Sequence, residues 1–181
     1  MSKYAVTTET SGESDYIPAN GGIQDNYLMK NVKYEAAKKD GSGDLTLIFE
    51  FEGPNKEQFR HVEFPVDESR EGFEKKYASL AKRIKHILNK YIPEEKAVLT
   101  DETFEQFAKG VIGLLGNSYK TIPVRVKLIL NDSDRLGFPK YLPFIEKMDV
   151  NPSILRIGKD ERIVPSGAKP TTMTPTEEAK F

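Results

Sequence analysis

Cations and aromatic rings alternate along this chain in a way that suits gripping an extended polyanion. Lys33, Lys38 and Lys39 gather at one predicted hairpin, Arg60 and His61 sit on the next strand, and Arg125 and Lys127 lie on a later one. Rings interleave with them at Tyr34, Phe59, Tyr119, Phe138 and Tyr141, and residues 135–141 (RLGFPKY) carry both types together. Holding a single strand of nucleic acid takes these parts: cations along a groove for the phosphates, and flat rings on which bases stack. The candidate contact residues are Lys33, Lys38, Lys39, Phe59, Arg60, His61, Arg125, Lys127, Arg135, Phe138, Lys140 and Tyr141. Packing is the competing use, because rings at strand parity usually enter a core. Phe49, Phe51 and Phe64 are expected to do so, and Phe59 and Tyr34 are balanced between the two. Phe138 is flanked by Gly137 and Pro139, which sets it on a turn and favours exposure.

Other chemistries find less to work with. The chain has no cysteine, so thiolate nucleophiles, thiolate metal sites and disulfides are excluded. Its two histidines, His61 and His86, have no nucleophile placed beside them by the sequence. Glu50, Glu52, Glu57 and Glu63 fall on strands, where outward acids commonly pair with Lys or Arg across the ladder. Asp67, Glu74 and Lys76 resemble a nuclease set only loosely, since Glu and Lys should share a strand and here they open a helix. Gly41 and Gly43 lie in a hairpin turn, while Gly110 to Gly116 lie in or end a helix. Neither makes a phosphate loop between strand and helix. No metal, cofactor or catalytic residue is expected.

The 181 residues suit one domain with tails, and 10 Phe and 8 Tyr within a 38% hydrophobic composition suffice for one core. Net charge is −1, so a basic surface must arise by segregation. Segregation is present: residues 1–26 and 92–118 are acidic, whereas residues 70–91 and 119–147 are basic. A charged helix face is also simply what solvent favours. No apolar run approaches the roughly 18 residues of a membrane span, and no signal-peptide core is evident near the N-terminus. A soluble, cytoplasmic protein without membrane partners is expected.

Periodicity supplies the elements. Period-two alternation predicts strands over residues 27–37, Leu45–Glu52, 59–64, Val124–Leu130 and about 140–148. Steps of three and four through Phe73, Tyr77, Leu80, Ile84, Ile87 and Tyr91 predict a long amphipathic helix over residues 70–91, stopped at Pro93. A shorter helix over residues 101–116 opens at a Thr-rich cap and closes at Gly116. Three strands, a long helix and a strand pair give a mainly β chain with helices. Their order is that of an OB-fold, a five-stranded barrel with the long helix between strands three and four. Residues 1–26 are expected to be a flexible arm, residues 27–149 the domain, and residues 150–181 a flexible tail rich in Pro and Thr.

Residues 27–149 resemble the single-stranded DNA-binding proteins of tailed bacteriophages. The resemblance is carried by NVKYEAAKKDGSGDLTLIFEFEGPNKEQFRHVEFPV, EKKYASLAKRIKHILNKYIPEE and VRVKLILNDSDRLGFPKYLPFIEKM, and lies in element order and texture rather than an invariant motif. It implies an OB barrel that coats and protects single-stranded DNA in phage replication, recombination or repair, largely independent of sequence and in the host cytoplasm. It also implies that an acidic tail with terminal Phe181 recruits replication or recombination enzymes. Glu177 and Glu178 fit that tail, whereas Lys180 departs from it. The rival expectation is a β-barrel adaptor for protein assembly, with the basic helix merely solvated.

Overall fold

The computed structural model describes residues 16–164 apart from Lys39 and Glu102. The expected tail residue Phe181 and cation Lys39 therefore lie outside the described residues. Among those described, seven strands form one sheet: β1 (Ile17–Pro18), β2 (Gly22–Ala36), β3 (Leu45–Glu52), β4 (Glu57–Glu63), β5 (Val124–Leu130), β6 (Leu136–Gly137) and β7 (Ile145–Lys147). Helices α1 (Phe73–Leu88) and α2 (Phe104–Leu115) lie in sequence between β4 and β5. The fold is thus mixed α and β, with the long helix where the sequence put it.

β2 organises the sheet. Its first part pairs antiparallel with β5 (Gly22 opposite Leu128) and its second with β3 (Val32 opposite Phe49). The ladders shift register between Gln24 and Tyr27 and again between Met29 and Asn31. Asn26 takes a φ of 61° at the first shift, a conformation that Asn tolerates better than most residues. Such irregularities bend a strand, so β2 can leave one ladder and join the other. β3 continues to β4, whose far edge carries β1 in parallel, and β5 carries β6 and β7.

One hydrophobic core lies against the inner face. It combines Tyr27, Val32, Phe49 and Phe51 with Leu80, Ile84 and Ile87 of α1 and Phe107, Val111 and Leu115 of α2. Burial of α1 begins at Leu80, whereas Tyr77, on the same predicted stripe, is 36% exposed. In α2 the Thr103 hydroxyl accepts a hydrogen bond from the Gln106 amide at 3.2 Å, the cap expected there.

Phe64, expected in the core, is instead 53% exposed just past the end of β4. The fold departs from the sequence reading in three larger ways. First, the sheet is not a closed barrel, for no ladder joins β4 to β6 or β7 among the described residues. Of the last strand expected near residues 140–148 only β7, three residues long, is formed, and the two-residue β6 lies in the connection before it. Pro139 and Pro143 between them lack the amide hydrogens that a continuous ladder uses. Second, Ile17–Pro18 forms β1 and residues 22–26 open β2, where an arm was expected. Third, residues 150–164 fold back over β5. Leu155 is fully buried, the Leu130 amide donates to the Arg162 carbonyl at 2.7 Å, and a Cβ on Gly21 would stand 2.2 Å from the Ile163 carbonyl oxygen.

Candidate nucleic-acid interface

The β2–β3 hairpin helps bring three candidate cations, Lys33, Lys38 and Arg60, around one cleft. Asp40 organises its loop by accepting from the Ser42 amide at 2.9 Å and the Ser42 hydroxyl at 2.6 Å. Gly41 and Gly43 supply φ values of 79° and 91° that a side chain would resist. Across β3, Arg60 lies opposite Glu50 and donates to the Ala37 carbonyl at the loop's base, at 2.9 Å. The result is an open cleft of about 540 Å³ lined by Lys33, Glu35, Lys38, Gly41, Glu50 and Arg60.

Charge in this cleft is partly cancelled. The Lys33 ammonium lies 2.7 Å from Glu35 and 2.8 Å from Glu50, and hydrogen bonding to the two carboxylates raises its pKa. Lys38 and Arg60 are exposed and have no carboxylate within ion-pairing distance among the described residues. Three cations against two acids leave a local excess of one, carried by the two groups freest to turn toward a ligand.

The cations of β5 have another role. Arg125 bridges Asp25 and Glu146, each at 2.6 Å, and Lys127 is 4% exposed with Glu161 at 2.6 Å. Glu146 is itself fully enclosed and accepts from the Ser153 hydroxyl and the Ile154 amide. The segment 150–164 thus covers the β5 face that alternation alone assigns to solvent. Arg125 and Lys127 serve as internal counter-charges and do not join the hairpin cleft.

Two candidate rings move from stacking platforms to core. Phe59 is 4% exposed and stacks on Phe51 at 4.8 Å. Phe138 is 9% exposed, stacks on Phe144 at 4.6 Å and meets Phe59 edge-on at 5.2 Å. It follows β6, which lies against β4, so its ring fills the unpaired seam between them. A turn with only Gly and Pro as neighbours can still point inward, and the apolar ring follows the available cavity. His61 joins this cluster, 5.0 Å from Phe138. Tyr141 stays half-exposed, its ring over the Lys127 ammonium and its hydroxyl donating to Glu161. Arg135 and Lys140 are exposed on the same connection, and Asn131 shapes it by accepting from the Ser133 and Arg135 amides at 2.9 Å.

Sequence reasoning missed two groups. Tyr16 is 59% exposed beside β4, its hydroxyl donating to the Gln58 carbonyl at 3.3 Å, and a lone ring in a polar stretch was its only signal. The second group is an enclosed polar cluster of Glu63, Arg83 and His61, in which the Glu63 carboxylate accepts from Arg83 at 2.6 and 2.7 Å and meets His61 Nε2 at 2.9 Å. Burial alone would raise the Glu63 pKa, but the bonds from Arg83 and His61 outweigh it and hold the carboxyl near 2. His86 packs edge-on to Phe144, and burial, aided by Lys90, lowers its pKa to about 4. Both histidines are thus engaged in packing and hydrogen bonding.

Compared with protein families, curated proteins and solved structures, the chain shows no match. Among the described residues no helix is long and apolar enough to cross a membrane.

Proposed function

We propose that this protein binds single-stranded DNA on the outer face of β2, β3 and β4, largely without regard to sequence. The observation that carries the reading is the convergence of Lys38, Arg60 and Lys33 in the open cleft beside the 37–44 loop. Phosphates are captured by Lys38 and Arg60, and Lys33 exchanges its contact with Glu35 or Glu50 for a phosphate as the strand arrives. Tyr16, held beside β4 at Gln58, is an exposed ring available for a base contact. No covalent chemistry is performed.

Strand pairing supports an OB-type arrangement. β2 lies between β3 and β5, β4 follows β3, and β7 follows β5, the pairing of an OB barrel whose third and fifth strands have parted. On this reading Phe138 substitutes side-chain packing for the missing ladder. From the resemblance to phage single-stranded DNA-binding proteins the proposal takes its setting: coating of strands during replication, recombination or repair, in the cytoplasm of a host.

A second reading, a protein-assembly adaptor, is favoured by one observation: Glu35 and Glu50 leave the cleft only weakly basic. Titrating the protein against fluorescent single- and double-stranded oligonucleotides at two salt concentrations separates them. Binding that prefers single strands and weakens with salt supports the first reading, and no binding at low salt supports the adaptor.

A further inference from the structure

Among the described residues, the fold matches nearly every sheltered cation to a carboxylate. Lys33, Arg83, Arg125 and Lys127 each have one within 2.8 Å. Lys90 breaks the rule. It is half-buried just past the end of α1 and makes no ion pair among the described residues, and neither does Lys147 beside it. Burial first, then the charge of Lys147, lowers the Lys90 pKa, with Glu146 offsetting only part of this. Uncompensated, sheltered positive charge is unfavourable and calls for an anion.

The two lysines open onto a cleft of about 500 Å³ between the end of α1, the approach to β5 and the end of β7. Its wall includes Tyr91, only 7% exposed, whose hydroxyl has no hydrogen-bond partner. Ile122, Pro123 and Met148 give the lining an apolar side. Of the two acids in the lining, Glu94 is occupied by Lys85 at 3.2 Å, and Asp149 is exposed at the rim. The carbonyls closing α1 are already bonded by the turn that follows: Leu88 accepts from Tyr91 and Ile92, and Ile87 from Lys90.

We propose that this cleft is a nucleotide subsite, with Lys90 and Lys147 holding the phosphate and the Ile122–Pro123–Met148 side receiving the base. An ammonium pair suits a phosphate dianion, and the apolar side suits a flat ring that phosphate alone would not need. The nucleotide is either free or one unit of a bound strand. The site shares no residue with the hairpin cleft, so it does not depend on the proposed DNA-binding face.

Calorimetric titration of the full chain with dTMP, inorganic phosphate, thymidine and oligo(dT) tests it. Expected is saturable dTMP binding that exceeds binding of both thymidine and phosphate. Lys147→Met and Lys90→Met should each weaken dTMP binding about tenfold, the worth of one charged hydrogen bond. Lys109→Met, on the exposed side of α2, should not. Lys147 is exposed, so its variant keeps the fold even if Lys90→Met does not. Displacement of dTMP by oligo(dT) assigns the site to a strand, and its absence assigns the site to free nucleotide. No dTMP binding, or dTMP binding unchanged in Lys147→Met, overturns the proposal.

Discussion

Arg83 grips Glu63 with two parallel hydrogen bonds, Nε to Oε1 at 2.7 Å and Nη2 to Oε2 at 2.6 Å, and so ties α1 to the end of β4. The planar guanidinium matches the carboxylate fork in a way an ammonium does not. Removing Arg83 leaves the enclosed Glu63 carboxylate with His61 as its remaining partner, and neutralising Glu63 leaves the Arg83 guanidinium with only the Ser79 hydroxyl, at 2.9 Å. Arg83→Met or Glu63→Gln should therefore cost about 3–5 kcal/mol in urea-melt stability. Arg83→Lys should recover only part of it. A loss below about 1 kcal/mol, the scale of an exposed pair, would mean that this pair is solvent-screened.

Acid should weaken the fold in two successive windows. His86 has a folded pKa lowered to about 4 from 6.5, so the unfolded chain takes up its proton first. Its contribution is complete above pH 6.5 and fades as pH falls toward 4. Glu63 is held near 2 against an ordinary 4.5, so its contribution is complete above 4.5 and fades toward 2. Equilibrium unfolding from pH 7 to 3 should show both slopes, and His86→Gln should remove the upper one alone.

Phe138 provides a sharp test of placement. Its ring touches Phe51, Phe59, His61 and Phe144, so Phe138→Ala opens a cavity and should cost about 3–5 kcal/mol. Under conditions where the variant stays folded, its oligonucleotide affinity should equal that of the parent. A stable variant that loses affinity would return the ring to the binding surface.

The 150–164 segment should act as part of the domain. Ending the chain at residue 149 removes Leu155 from the core and strips Glu146 and Lys127 of partners. Thermal melting should show a large loss of stability, or no cooperative transition. Lys127→Met, by contrast, should leave the salt slope of oligonucleotide binding unchanged, because Lys127 is enclosed.

The regular elements were legible because their periodicity is strict. Leu45–Glu52 and Val124–Leu130 match the strands residue for residue, and α1 lies within the expected stripe. Legibility failed where packing is irregular. Residues 22–26 (GIQDN) are too polar to announce the start of β2, although backbone pairing to β5 needs no apolar side chain. Residues 150–164 dock through single contacts, Leu155, Glu161 and Arg162, that leave no period. That docking covers the expected solvent side of β5 while Val124, Val126 and Leu128 stay buried on the other, and so reassigns Arg125 and Lys127. At the candidate site, Lys33, Lys38 and Arg60 were legible from cation type and hairpin position. The pairing of Lys33 with Glu50 was not, because cross-strand approach depends on register.

The salt dependence of single-stranded DNA binding, compared between the parent and a Lys38→Ala/Arg60→Ala double variant, tests the central claim most directly. Each phosphate contact on a single strand contributes about 0.7 to the slope of log affinity against log salt. The account predicts a slope shallower by about 1.4 and weaker binding to every sequence tried, with thermal stability nearly unchanged because both side chains are exposed. An unchanged slope in a folded double variant would contradict it and remove the β2–β3–β4 face from the protein's function.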